Sequence, residues 1–207
     1  MAKNKGVLIV ISGPSGAGKG TICKALLEKH KDIHLSVSAT TRDPRQGEVH
    51  GVNYYFLNKE EFLKKVEEDD FLEWAEVYGN CYGTPKSNVK ELLDSGKDVI
   101  LEIDIQGALK VKENTEEGVF IFILPPSMEE LKQRIINRGS ETPESLMRRF
   151  NSAYQEINYI SKYNYAVVND TVENAVNKIE NILTAEKCRV DRIQGTILNL
   201  EEGISHE

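Results

Sequence analysis

Five short apolar runs recur along the chain, at 7–11, 35–39, 99–105, 119–124 and 166–168. Several are nearly continuous in Val, Ile and Leu, the pattern of strands buried on both faces. Between them, apolar residues return at helical spacing. Val172, Ala175, Val176, Ile179 and Ile182 make one stripe, with Asp170 or Thr171 available as a cap. Asn58-Lys59-Glu60-Glu61 starts another helix that turns Phe62, Leu63 and Val66 inward. Ser127-Met128-Glu129-Glu130 has capping-box spacing, and Thr142-Pro143-Glu144 places Pro at a first helical position. Strands alternating with helices predict an α/β chain: a parallel sheet core flanked by helices. Two stretches break the rhythm. Residues 38–87, rich in Tyr, Gly and polar residues, read as short strands and turns, and residues 128–160 read as helices carrying arginines. Insertions of this kind carry binding functions that a packed core lacks the freedom for.

The first strand runs into Gly13-Pro14-Ser15-Gly16-Ala17-Gly18-Lys19-Gly20-Thr21, and a helical pattern with Ile22, Ala25, Leu26 and Leu27 follows. Strand, glycine-rich turn and helix in this order form a phosphate-binding loop. Glycines let backbone N–H groups turn inward, and the positive end of the next helix adds to the anion cradle. Lys19 supplies a mobile charge for the outer phosphates of a nucleotide. The usual loop places Ser or Thr directly after Lys as a Mg²⁺ ligand, but Gly20 holds that place here. Gly-Lys-Gly-Thr resembles nucleoside monophosphate kinases more than GTPases or motor ATPases. Thr21 then reads as a phosphate donor, or as a hydroxyl bonded to its own helix. The metal ligands stay unassigned.

Composition narrows the partners. The 207 residues suffice for one sizeable core, and 40% hydrophobic with 29% charged residues is ordinary for a globular protein. A net charge of −7 argues against nucleic acid as a general partner. No apolar stretch approaches the roughly 20 residues that span a bilayer, and the N-terminus lacks the features of a signal peptide. A cytoplasmic location is the default expectation. Cys23, Cys81 and Cys188 match no zinc or redox spacing and read as reduced thiols. The four histidines lie at no metal spacing.

The segment 38–87 carries the groups a phosphorylated base needs. Arg42 and Arg45 flank Pro44, so their planar forks can converge on one phosphate; the plainer reading is two solvated loop arginines. Tyr54 and Tyr82 sit in turn-rich contexts, where a phenol can donate to phosphate or simply pack. Glu73 stands between Phe71-Leu72 and Trp74, so it is either paired inside or turned to solvent. Glu102 and Asp104 end a buried strand, on the side where α/β sheets hold ligands.

These motifs add up. The phosphate loop, Ser36-Val37-Ser38-Ala39-Thr40-Thr41-Arg42, Pro44-Arg45-Gln46-Gly47-Glu48, Tyr54-Tyr55-Phe56, Phe71-Leu72-Glu73-Trp74-Ala75, Tyr82-Gly83-Thr84 and Ile103-Asp104-Ile105-Gln106-Gly107 follow one another as in guanylate kinases, which the chain resembles over residues 5–186. The resemblance implies a P-loop kinase fold with core segments at about 5–37, 88–127 and 161–186. It implies a GMP-binding segment at about 38–87, a helical lid at about 128–160 and a tail from 187. It implies that GMP's phosphate is held by Arg42, Arg45, Tyr54 and Tyr82, and its base by Ser38, Glu73, Thr84 and Asp104. Guanine offers N1–H and a 2-amino group side by side, and a carboxylate accepts both. Residues 13–21 and Asn169 fall on the ATP side, with Mg²⁺ accompanying ATP.

Arg134 and Arg138 share a helix face, which in isolation reads as a solvated basic face. The resemblance makes Arg134, Arg138 and Arg149, with Lys19, the groups that close over the transferring phosphoryl; Arg148 matches less securely. The implied reaction is reversible γ-phosphoryl transfer from ATP to GMP. One rival is a kinase for AMP or a pyrimidine nucleotide, against which the set Ser38, Glu73, Thr84 and Asp104 argues; the other is a non-catalytic guanylate-kinase-like interaction module, whose phosphate loop is degraded. Lys19 argues against it.

Overall fold

The computed structural model describes residues 5–77, 79–115, 117–136 and 143–193. Chain order begins with β1 (Leu8–Ser12), α1 (Lys19–Lys29) and β2 (Ile33–Leu35), then β3 (Ala39–Thr40), β4 (Tyr55–Phe56), α2 (Lys59–Glu67), β5 (Phe71–Val77) and β6 (Asn80–Pro85). It continues through α3 (Lys86–Asp94), β7 (Asp98–Glu102), α4 (Ile105–Asn114), β8 (Val119–Leu124), α5 (Met128–Ile136) and α6 (Pro143–Glu156). A 3-10 helix (Ile157–Lys162), β9 (Tyr165–Val168) and α7 (Val172–Lys187) complete it.

The main sheet is parallel, in the order β2-β7-β1-β8-β9. β1 lies at its centre with every residue buried, which is why its sequence is continuously apolar rather than alternating. Successive side chains still face opposite ways. Ile9 and Ile11 join Ile22 and Leu26 of α1 and Ala175, Ile179 and Leu183 of α7 in one core layer. Leu8 and Val10 join Val89 and Leu93 of α3 and Ala108 and Val111 of α4 in the other. From β1 the chain moves to β2 on one side, and later from β7 to β8 on the other. The carboxyl end of β1 is therefore the switch point where such sheets bind ligands.

Residues 39–85 build a second sheet, β4-β3-β6-β5, with α2 packed on it. Phe62 of α2 stacks on Phe71 of β5 with ring centroids 4.5 Å apart. The apolar run 35–39 is thus two strands in two sheets, not one. Ser36 donates its N–H to Ile100 O as the chain leaves the main sheet, and Ala39 begins the next. Leu63 also departs from expectation: it is 41% exposed while Phe62 is fully buried. This short helix presses only the Phe62–Val66 side onto the sheet.

Local capping follows the sequence closely. Asn58 and Glu61 form a reciprocal capping box on α2, Ser127 Oγ accepts from Glu130 N at 3.1 Å, and Thr171, rather than Asp170, caps α7 through Asn174 N. The run 99–105 ends as a strand at Glu102, and Asp104 caps α4. Among the described residues no helix is long and apolar enough to cross a membrane.

Candidate active site

The loop between β1 and α1 bends through Gly13, Gly16 and Gly18, all at positive φ. Gly18 shows why no other residue serves. It caps α1 in the left-handed region, at φ 94°, and a Cβ there would strike the Asn169 amide. Lys19 Nζ donates to Gly13 O at 2.6 Å and to Pro14 O at 3.3 Å, which curls the ammonium back over the loop. Gly13, Ser15, Gly16, Gly18, Lys19 and Gly20 line a cavity of about 210 Å³ together with Glu102, Asp104 and Glu156. Glu102 lies close against the loop: a Cβ on Gly20 would sit 3.3 Å from its Oε1.

Glu156 is a feature the sequence did not reveal. It ends α6, and its Oε2 accepts from Ser15 N at 3.3 Å, across 141 residues of sequence. Ser152 Oγ holds its other oxygen at 3.1 Å. A carboxylate of the protein thus stands on the phosphate loop's own N–H donor. No local pattern marks it, because the contact exists only once α6 packs across the mouth of β1.

On the far side of the loop, Gly16, Gly18, Thr21, Arg134 and Asn169 line an open recess of about 500 Å³ with residues 170–172. Asn169 Nδ2 donates to Ala17 O at 2.8 Å, and Asn169 O accepts from Arg134 at 3.2 Å. Asn169 therefore props the loop as well as edging the recess. Thr21 faces this side. Arg134 also pairs with Glu130 one turn back. Arg138 lies outside the described residues; Arg148 and Arg149 fall on α6, with side chains outside the described part.

A second cavity, of about 260 Å³, opens between the two sheets, lined by Ser38, Tyr54, Glu73, Tyr82, Glu102 and Asp104 among others. Glu73 reaches it from β5, where the register shifts between Phe71 and Glu73; such irregularities re-aim side chains. Leu72 goes to the main core and Phe71 to the small one, leaving Glu73 opposite Thr84. Thr84 Oγ1 donates to Glu73 Oε1 at 2.7 Å. Burial pushes the Glu73 carboxyl above its ordinary range; the Thr84 bond opposes this and the nearby Asp104 charge adds to it. Asp104 Oδ1 accepts from Gly107 N at 2.7 Å, so the α4 cap also fixes this second acid.

Tyr54 and Tyr82 meet edge to face, 6.2 Å between centroids. The Arg42 guanidinium lies 5.3 Å from the Tyr54 ring and 5.7 Å from that of Phe56. Its two terminal nitrogens donate to both oxygens of Glu48, each at 2.9 Å. Glu48 Oε2 also accepts from Arg45 N at 2.7 Å. These bonds, the arginine's first, hold the Glu48 carboxyl down at about 2. Arg45 itself is exposed on the rim, so the structure does not show two forks converging. Glu48 was visible in sequence only as part of the Gly47-Glu48 turn, with no role attached. The six-residue separation of Arg42 and Glu48 around Pro44 and Gly47 was the available signal.

The two cavities share Glu102 and Asp104. Among the described residues no three His, Cys, Asp or Glu cluster as a ready-made metal site. Of the three acids that line the loop cavity, Glu102, Asp104 and Glu156, the first two also face the second cavity.

Comparison with known proteins places the chain in a family. The family model for guanylate kinase matches residues 5–186. A Clostridium perfringens guanylate kinase is 77% identical over 204 residues, covering 99% of this chain and 94% of that protein. One from Clostridium tetani is 71% identical over 98% of this chain and 97% of its own length. The crystal structure of guanylate kinase from Anaplasma phagocytophilum has a TM-score of 0.73 at 40% identity, covering 92% of this chain and 91% of that one. With a P-loop kinase fold, a phosphate loop that retains its lysine and family-level identity along nearly its whole length, the chain belongs to the guanylate kinase family.

Proposed function

We propose that this protein transfers the γ-phosphoryl group of ATP to GMP, reversibly, giving ADP and GDP. The observation that carries the reading is the meeting of the two cavities at Glu102 and Asp104. ATP lies along the phosphate loop, with its base toward Arg134 and Asn169. GMP lies in the second cavity, base toward Glu73 and Asp104 and phosphate toward Tyr54 and Tyr82, so the two phosphate groups approach each other where the cavities meet.

Glu73 accepts N1–H and the 2-amino group of guanine, with Ser38, Thr84 and Asp104 around the base. Adenine has no proton at N1, so the same carboxylate would face an unprotonated nitrogen. A site organised around such bonds discriminates by roughly 10⁴-fold in favourable cases. Tyr54, Tyr82, Arg42 and Arg45 hold the GMP phosphate. For this, Arg42 exchanges the Glu48 carboxylate for the nucleotide's oxygens, a like-for-like swap of one bidentate anion for another.

No side-chain base is needed, because the acceptor oxygen of GMP is already anionic. Catalysis is positioning and neutralisation of charge spread over the transferring group. Lys19 supplies this from the loop, and Arg134, Arg138 and Arg149 supply it from the lid side. Mg²⁺ entering with ATP would supply positive charge to the phosphates; Glu102 is the residue to hold it, directly or through its waters, since Asp104 serves the base and the α4 cap and Gly20 offers no hydroxyl. The helices of 128–160 and the sheet of 38–87 close inward to exclude water, without which ATP would be hydrolysed.

The test is ADP release from Mg·ATP against a panel of nucleoside monophosphates. GMP should support turnover far above AMP, CMP and UMP. Equal rates across the panel, or none, would refute the assignment.

A further inference from the structure

Gly107 sits inside a helix with no backbone reason to be glycine. It is the third residue of α4 and is buried. It is absent from the glycines at positive φ, which among the described residues are Gly13, Gly16, Gly18, Gly47, Gly51, Gly79 and Gly96. An ordinary helical position favours Ala over Gly, because glycine loses more backbone entropy on folding. Glycine at such a place has a packing or functional cause.

The cause is visible in what a side chain would meet. A Cβ on Gly107 would stand 3.2 Å from Glu73 Oε2, 3.3 Å from Asp104 Oδ1 and 3.4 Å from Glu73 Cδ. All three contacts are the carboxyl groups that face the second cavity, and none is backbone. Oε1 of Glu73 is held by Thr84, while Oε2 lies over the bare Cα of Gly107. The carboxylate thus settles against the first turn of α4, where free N–H groups favour negative charge. Asp104 and the Gly107 N–H form the cap of that same turn. A methyl group here would have to displace Glu73 by a few tenths of an ångström, outward into the cavity.

We propose that Gly107 is a positioning residue for base recognition: its lack of a side chain sets the depth of the Glu73 carboxylate, and so the fit of the N1–H and 2-amino edge of guanine. This rests on the GMP reading above. The experiment therefore begins with the wild type, comparing GMP with IMP, which keeps N1–H and lacks the 2-amino group. Failure of the wild type to use GMP would overturn the substrate assignment, and this inference with it, before any substitution is made.

Gly107→Ala is then expected to lower kcat/KM for GMP about tenfold, a fraction of the roughly 10²-fold cost of a 1 Å misplacement. The GMP/IMP ratio should narrow, KM for ATP should stay within about twofold, and the melting temperature should hold or rise, as helix propensity predicts. In the double variant Gly107→Ala/Glu73→Asp, the shorter acid relieves the crowding, so the combined loss should fall well short of the product of the single losses. Three results would overturn the proposal: unchanged GMP kinetics in Gly107→Ala, strictly multiplicative losses in the double variant, or a fall in melting temperature, up to failure to fold, with GMP and ATP kinetics impaired together. The last would mean that the glycine serves the fold and not the base.

Discussion

The phosphate loop draws its anion donors from one consecutive run, Gly13 to Thr21, whereas the second cavity collects Ser38, Tyr54, Glu73, Tyr82 and Asp104 from separate strands, a loop and a helix cap. The loop works chiefly through backbone N–H groups set by glycine φ values, so its shape is a local property. The second cavity works through side chains whose meeting depends on sheet register. Yet the two ends share one device. Each holds a protein carboxylate against its anion donors: Glu156 on Ser15 N, and Glu48 on Arg42. The loop's partner is remote and reaches Ser15 N at 3.3 Å; that of Arg42 is six residues away and bidentate at 2.9 Å. At both ends an internal carboxylate keeps the donors ordered.

The largest effect should come from the loop. Lys19→Met is expected to cut kcat about 10³-fold, the scale of losing one preorganised charge donor. Its bonds to Gly13 and Pro14 carbonyls contribute about 1 kcal/mol, so the melting temperature should move by only about 2–4 °C. Calorimetry beside an ADP-release assay checks both. A large stability loss would mean that the lysine braces the loop rather than serving the phosphates.

Next in size is Glu73→Gln, which puts an NH₂ donor where guanine also donates. We expect kcat/KM for GMP to fall about 10²-fold, the value of a charge-assisted bond lost, with KM for ATP unchanged. If both Michaelis constants move, the two ends are not the separate recognition units their construction indicates.

A smaller effect lies in the pH dependence. Burial raises the Glu73 carboxyl above 4.5, so its charged form is disfavoured in the fold. Acidification through that raised value neutralises the group, easing its burial while removing the acceptor. KM for GMP should therefore climb on acidification at a pH above 4.5. Glu73→Gln lacks this titration, and the difference between the two profiles removes the contribution of the nucleotide phosphate. Glu48 has the opposite sign. Its depressed carboxyl, at about 2, contributes above 4.5 and is lost only as the pH falls toward 2, so the Arg42 clamp persists across the range assayed.

The smallest effect tests the loop's stand-in. Glu156→Gln removes a negative charge from the cavity while leaving an acceptor for Ser15 N. ATP, or tripolyphosphate alone, should bind about threefold more tightly, in keeping with a half-buried charge still screened by solvent, and KM for GMP should not change. Weaker binding in a calorimetric titration would make Glu156 a supporting ligand of the ATP site and dissolve the parallel with Glu48.

What could be read from the chain divides along the same line. Sequence alone determined the buried central strand, the caps at Asn58, Ser127 and Thr171 or Asp170, and the glycine loop with Lys19, and it picked out Ser38, Tyr54, Glu73, Tyr82 and Asp104, which the structure brings to one cavity. These depend on sterics and hydrogen bonds spanning a few residues, or on motifs that stay intact when written in a line. Tertiary structure decided the rest. It split the run 35–39 between two sheets, left Leu63 at the surface, and put the Asn169 amide against the loop's backbone. It clasped Arg42 to Glu48, carried Glu156 across to Ser15, and pressed Glu73 against Gly107. Each of these depends on strand register and helix packing over long separations. The backbone of the phosphate loop carries its own instructions, but a site made of converging side chains takes its geometry from everything packed around it.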